Sequence, residues 1–290
     1  MTKERHPATL SDPMVYCNGA WVRQSEATVP FMDSGFWYGD GLFETLLAAN
    51  GRIFRVRKHL ERIHSGMRIL QIDFPCTDDQ VIELLEEALE RNSLESALFR
   101  LMCTRGTLAG APWKFHGPAN LYIGFRYTQA APPMPVKVEY VDEAEYPIAR
   151  MNPALKSMTY LGNMLAIRDV VLRGGFEPVF LNREGIITEC AVRNIFYIQG
   201  RTLHTPDTAL GILPGVTRDL IMELAPAHGL TVDTGPLRRE DADRMDEAFI
   251  SSTGIGIYPV TWEGYHQSEY TITAQLKEAV ENQVNVETAG

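Results

Sequence analysis

Between residues 129 and 135 the chain reads Gln-Ala-Ala-Pro-Pro-Met-Pro, and this short stretch limits what the rest can fold into. Each proline fixes φ and removes a backbone donor, so neither a helix nor an interior strand passes through three of them. The segment is expected to join two bodies: a small α/β domain over residues 1–128 and a larger one over 136–290, with 129–135 as a stiff linker. A chain of 290 residues can supply both with a core.

The patterns on either side agree with a mixed class. Residues 14–24 and 42–49 alternate or cluster apolar side chains as strands do, with Asn18-Gly19 and Asn50-Gly51 as turn signals. Leu60, Ile63, Met67 and Leu70 recur at helical spacing over 58–70. Thr77-Asp-Asp-Gln80 has the capping-box form, and Val81, Ile82, Leu84, Leu85, Ala88 and Leu89 continue behind it as an apolar stripe. Residues 98–103 and 121–127 read as strands. Beyond the linker the expected order is a strand over 136–141, a helix over 158–173 and strands over 178–181 and 195–198. A helix then opens beside Pro214, and a strand over 249–257 ends near Thr253-Gly254. The final residues, 285–290, are expected to fray. The class is α/β (α+β).

Composition removes several function classes. The net charge is −10, from 37 acidic and 27 basic residues, which disfavours a general nucleic-acid binder. Cys17, Cys76, Cys103 and Cys190 show neither metal-type pairing nor a dense disulfide framework, and read as reduced thiols of a cytoplasmic protein. The first residues, Met-Thr-Lys-Glu-Arg-His-Pro, lack the apolar core of a signal peptide, and no apolar run approaches the roughly 18 residues of a membrane span. No metal site is expected.

Three segments of the second half carry matched chemistry. Lys156 stands in Ala-Leu-Lys-Ser-Met-Thr-Tyr, Glu189 in Ile-Thr-Glu-Cys-Ala-Val-Arg-Asn, and residues 213–217 read Leu-Pro-Gly-Val-Thr. A lysine amine can hold an aldehyde as a Schiff base. A carboxylate can keep a pyridine nitrogen protonated, and a glycine-led helix start can cradle a phosphate. Alone, Lys156 reads as a solvated lysine and Glu189 as a strand-end glutamate. As a set they describe a socket for pyridoxal 5′-phosphate.

With Asp33-Ser-Gly-Phe-Trp-Tyr-Gly-Asp-Gly-Leu-Phe-Glu-Thr and His59-Leu-Glu-Arg-Ile in the first half, five segments stand in one order. In that order the chain resembles the fold type IV pyridoxal-phosphate enzymes, from about Met14 to about Val260. That family includes branched-chain and D-amino-acid aminotransferases, (R)-selective amine transaminases and aminodeoxychorismate lyases. The resemblance implies a two-domain, D-amino-acid-aminotransferase-like fold with the cofactor in the interdomain cleft, and at least a homodimer. It implies that Lys156 binds the cofactor and moves the proton, that Glu189 meets the ring nitrogen, and that Tyr160 touches the phenolic oxygen. Arg62, Gly215, Val216, Thr217 and Thr253 would hold the phosphate, and Leu213 would pack on the ring. Asn194 shapes its loop, either for this purpose or as an ordinary turn residue. Tyr38 and Phe43 fall where pocket walls are placed, and both serve equally as core aromatics. Gly254 would offer an amide to the substrate carboxylate. Arg105, with Lys114 and His116 nearby, would meet that carboxylate or else stabilise a tight turn at Gly106.

The reaction signals divide. Ser252-Thr253-Gly254 resembles the transaminase pattern, whereas Lys156-Ser-Met-Thr-Tyr-Leu-Gly-Asn resembles bacterial lyases. Phe43-Glu-Thr departs from the Phe-Glu-Gly of typical branched-chain enzymes, and the segment around Arg105 lacks the Arg-x-His clamp of well-known D-amino-acid enzymes. The expectation is a transaminase passing an amino group from an amino acid to a 2-oxo acid through a Lys156 Schiff base. Branched-chain or D-amino acids are the expected donors, with (R)-amines as a further possibility. The alternative is 4-amino-4-deoxychorismate lyase.

Overall fold

The structure is a computed structural model that describes residues 12–111, 113, 114, 117–265, 267 and 269–289. His116 and the N-terminal residues on which the absence of a signal peptide rests lie outside these. The chain divides into two compact units, Met1–Gln129 with Thr288–Gly290, and Ala130–Glu287.

The first unit is built on strands β1 (Met14–Cys17), β2 (Ala20–Arg23), β3 (Gly41–Ala49), β4 (Arg52–Ile53), β5 (Ala97–Thr104) and β6 (Asn120–Arg126). They form an antiparallel sheet in the order β2-β1-β6-β5-β3-β4. Asn18 and Gly19, with φ of 46° and 99°, make the β1–β2 turn, the left-handed geometry these residues tolerate best. The helices are α1 (Ser34–Tyr38), α2 (Val56–Leu70) and α3 (Asp78–Arg91). Thr77 and Gln80 close the capping box in both directions, at 3.3 and 2.9 Å. Leu60, Ile63 and Met67 of α2 and Val81 and Leu85 of α3 are buried, each contributing roughly 1.5–3 kcal/mol from the apolar surface removed from water.

The second unit contains β7 (Val136–Asp142), α4 (Leu161–Leu172), β8 (Glu177–Leu181), β9 (Ile187–Cys190), β10 (Asn194–Gln199), β11 (Thr202–His204), α5 (Val216–Leu224) and β12 (Thr231–Asp233). It continues with α6 (Arg239–Ala242), β13 (Glu247–Ser252), β14 (Gly256–Thr261) and α7 (Thr271–Thr288). The mixed sheet runs β12-β11-β10-β13-β14-β7-β8-β9. One face buries Ile195, Tyr197, Ala248 and Ile250 in the main core. On the other face Phe196 and Phe249 stack at 4.8 Å and 10°, and α5 packs against β13. Ala166 and Val170 of α4 pack with Phe180 of β8.

Three expected boundaries change. Residues 249–257 are not one strand: β13 ends at Ser252 and β14 begins at Gly256, whose φ of 63° lets the chain reverse. Ile255 and Ile257 resume an apolar pattern directly after Ser251-Ser-Thr-Gly254, so two strands read as one. The helix expected over 158–173 starts only at Leu161, because Tyr160 sits outside helical geometry at φ −109°, ψ 10°. The C-terminal residues continue α7 to Thr288, with Leu276 and Val280 buried at helical spacing. The carboxylate of Glu247 accepts from the amides of Ile272 and Thr273 at 2.9 and 2.7 Å and so fixes the start of that helix.

Candidate active site

Lys156 lies in the irregular segment leading into α4, Glu189 on β9 and Leu213 just ahead of α5. These three line a single pocket of the second unit, together with Arg150, Tyr160 and Asn163. The sheet and helix order makes this possible, since β9 is an edge strand beside β8 and α4 returns across β8.

Glu189 is held from two sides. One oxygen accepts from Arg150 Nη1, and the other accepts from the Leu213 amide at 3.1 Å. Burial raises the Glu189 pKa, and the Arg150 charge, the Leu213 amide, the Arg150 hydrogen bond and the Lys156 charge oppose that rise. Arg150 also donates from Nε to Glu143 at 2.9 Å and from Nη2 to Thr188 Oγ1 at 3.1 Å. Nothing in the sequence marks Arg150, because its partners stand 7, 38 and 39 positions away.

Tyr160 and Asn163 converge on one acceptor. The Tyr160 hydroxyl donates to the Ala191 carbonyl at 2.5 Å, and Asn163 Nδ2 donates to the same oxygen at 2.7 Å. This clamp fixes the chain two residues beyond Glu189.

The start of α5 is shaped by Asn194. Its Nδ2 donates to the Leu213 carbonyl at 3.0 Å, and its Oδ1 would lie 2.1 Å from a Cβ at Gly215. Only glycine fits that approach. No side chain caps α5, so its first amides stay available to an acceptor, and Val216 and Thr217 are buried there. Across the β10–β13 ladder Asn194 faces Ser251, which puts the Thr253-Gly254 turn on from the same strand end. Thr253 and Gly254 are half-buried and do not line the pocket around Lys156.

The remaining expected residues belong to the first unit. Tyr38 ends α1 with 53% of its surface exposed. Phe43 is buried on β3, with the Arg100 guanidinium 3.2 Å above its ring. Arg62 forms a two-bond fork with the buried Glu44. Arg105 donates to both oxygens of Asp40, at 2.6 and 3.1 Å, and to the carbonyls of Leu70 and Gln71 at 2.9 and 3.2 Å. These bonds tie Arg105 to Asp40 and to the C-terminal end of α2. Lys114 is exposed. Asp33 is a further group the sequence did not single out: buried, it accepts from Gly35 N, Thr104, Asn120 and Tyr122 and so anchors α1.

Comparison with known proteins agrees with the resemblance read from the sequence. Residues 41–262 match the model of the family described as amino-transferase class IV. A protein of Methanocaldococcus jannaschii, provisionally named a branched-chain-amino-acid aminotransferase, is 34% identical over 248 residues, covering 85% of this chain and 86% of its own. The aminodeoxychorismate lyase of Bacillus subtilis is 29% identical, covering 94% of this chain and 96% of its own. Among solved structures, the branched-chain amino acid aminotransferase of Escherichia coli superposes with a TM-score of 0.87 at 26% identity, covering 95% and 96% of the two chains.

Proposed function

The chain belongs to the class IV amino-transferase family, and from that premise we propose a pyridoxal-phosphate-dependent transaminase that moves an amino group between a branched aliphatic amino acid and a 2-oxo acid. One observation carries this reading: Lys156 and Glu189 line the same pocket of the second unit.

The residues present fit the cofactor. An amine and a carboxylate share one pocket, and α5 starts at Gly215 with no side-chain cap on its first amides among the described residues. When bound, pyridoxal 5′-phosphate supplies an aldehyde for the amine and a ring that accepts the electron pair left as a Cα proton departs. Lys156 is the tethering amine at rest. With its Nζ free, Lys156 would take the proton from the donor's Cα. Glu189, whose charged form Arg150 supports against the effect of burial, would hold the proton on the ring nitrogen. Leu213 fixes the carboxylate through its amide. Gly215, Val216 and Thr217 offer amides and a hydroxyl to the phosphate at the positive end of α5, with Thr253 beside them.

The test is steady-state kinetics of the purified protein with L- and D-amino acids and (R)-amines, each with and without a 2-oxo acid. Turnover is expected only with the acceptor, with parallel double-reciprocal lines and branched L-amino acids preferred. Borohydride reduction followed by peptide mapping should label Lys156. Pyruvate release from aminodeoxychorismate without an acceptor would replace this reading by the lyase, the activity named for the Bacillus subtilis relative.

A further inference from the structure

The first turn of α5 holds a cation where helix electrostatics disfavours one. Arg218 is the third residue of this nine-residue helix, at the positive end of its dipole. Its side chain is 4% exposed. Nη2 donates to the Pro206 carbonyl at 2.9 Å. The nearest carboxylate, Asp219, stands 3.5 Å from Nη1 and is half exposed. Nε is buried and has no hydrogen-bond partner among the described residues. Burial pulls the Arg218 pKa down, against Asp219, Asp207 and Glu189. A buried guanidinium that keeps one N–H without an acceptor favours a further anion beside it.

A second orphan group lies on the same side of the sheet. Ser251 faces Asn194 across the β10–β13 ladder, and Asn194 touches the Gly215 position at the head of α5. The Ser251 hydroxyl is buried and likewise lacks a partner. Around the start of α5 there are thus uncapped amides, a buried guanidinium and a buried hydroxyl. These donors are the chemical complement of an oxyanion.

We propose that Arg218 is a positioning residue for the cofactor phosphate, acting through its buried positive charge at the start of α5. This rests on the reading that α5 receives the phosphate. Arg218 keeps its hydrogen bond to Pro206, and its field raises the affinity of the site for the dianion. The unphosphorylated aldehyde, pyridoxal, carries no such charge and gains nothing from it.

The experiment compares the dissociation constants of pyridoxal phosphate and pyridoxal for the apoprotein and its variants, by titration of the cofactor absorbance. Arg218→Gln retains a donor for Pro206 and removes the charge. It should weaken pyridoxal phosphate about tenfold or more while leaving pyridoxal within about twofold. Arg218→Lys, which restores a positive charge, should recover most of the loss. Asp219→Asn, a half-exposed change, removes an opposing charge and should tighten pyridoxal phosphate alone by about two- to threefold. That arm remains decisive should the glutamine variant not fold. Equal weakening of both ligands in Arg218→Gln, or an unchanged ratio in Asp219→Asn, overturns the proposal. Thr217→Val separates the two levels. If it lowers the ratio while the Arg218 variants do not, only the role of Arg218 fails; if it too leaves the ratio unchanged, the phosphate reading of α5 fails with it.

Discussion

Glu44 and Arg62 meet through two hydrogen bonds, Nε to Oε1 at 2.8 Å and Nη2 to Oε2 at 2.6 Å, with the carboxylate fully buried and the guanidinium 13% exposed. His59 Nδ1 stands 2.8 Å from the same Oε2. The fork aligns β3 with α2 and fixes the direction of the guanidinium. Replacing the carboxylate by an amide in Glu44→Gln strands a buried cation beside a donor of its own kind. The expected loss is about 3–5 kcal/mol of stability, read as the shift of the urea midpoint at unchanged slope.

The same pair sets an acid limit. Burial alone would raise the Glu44 pKa, but the Arg62 charge, its hydrogen bonds and His59 outweigh that and hold the carboxyl far below the usual carboxylate range. A depressed folded pKa means that the stabilisation is complete above the unfolded value, about 4.3, and is lost as pH falls below it. The stability gap between the wild-type protein and Glu44→Gln should therefore be constant from pH 7 to about 5 and narrow below about 4. A gap that narrows instead on the alkaline side would contradict this assignment.

Arg150 plays the corresponding part for Glu189. Burial pushes the Glu189 pKa up, and Arg150 is the largest opposing influence. In Arg150→Met the Glu189 carboxyl should climb further, so its anionic form is reached only at higher pH. The acid limb of the kcat/KM profile should then move to higher pH, with kcat/KM at neutral pH down about ten- to a hundredfold. A fall in activity with an unmoved acid limb would mean that Arg150 acts only by shaping the pocket.

What the sequence discloses and what it hides divide along one physical line. Local patterns were legible: the Thr77–Gln80 capping box, the apolar stripes of α2 and α3, the Asn18-Gly19 turn and the helix start after Pro214 each depend on neighbours within a few residues. The partners of the chemical residues were not. Arg150 meets Glu189 across 39 positions and Asp33 meets Asn120 across 87, and no spacing rule connects such pairs. The boundary of β13 failed for a related reason. The apolar pattern resumes at Ile255 and Ile257 just past Ser251-Ser-Thr-Gly254, and the backbone at Gly256 shows that a second strand starts there.

Gly215 tests how closely the start of α5 is built. Gly215→Ala would bring a methyl group to 2.1 Å from Asn194 Oδ1 and 3.3 Å from Arg218 Cβ, so Asn194 must move and release the Leu213 carbonyl. Pyridoxal phosphate affinity should fall about tenfold or more, with stability down by about 1–3 kcal/mol. Asn194→Ala alone should lose the Leu213 bond, at about 0.5–1.5 kcal/mol. In the double variant the clash is gone, so the two losses should combine to less than their sum. Strict additivity in thermal or urea unfolding would show that Asn194 is not what confines position 215.

The Ala191 carbonyl should behave in the opposite sense. It accepts from both Tyr160 and Asn163 and belongs to a buried residue. Tyr160→Phe or Asn163→Ala leaves the oxygen one donor, so each should cost only about 0.5–1.5 kcal/mol. Removing both leaves a buried carbonyl with neither donor, and the double variant should lose more than the two singles together, by about 1 kcal/mol. Because Ala191 lies two residues beyond Glu189, the same cycle measured as kcat/KM should show the same sign: two modest single losses and a larger joint one. Equal coupling in stability with none in kcat/KM would confine the clamp to holding β9 in place, without influence on the carboxylate that β9 presents to the pocket.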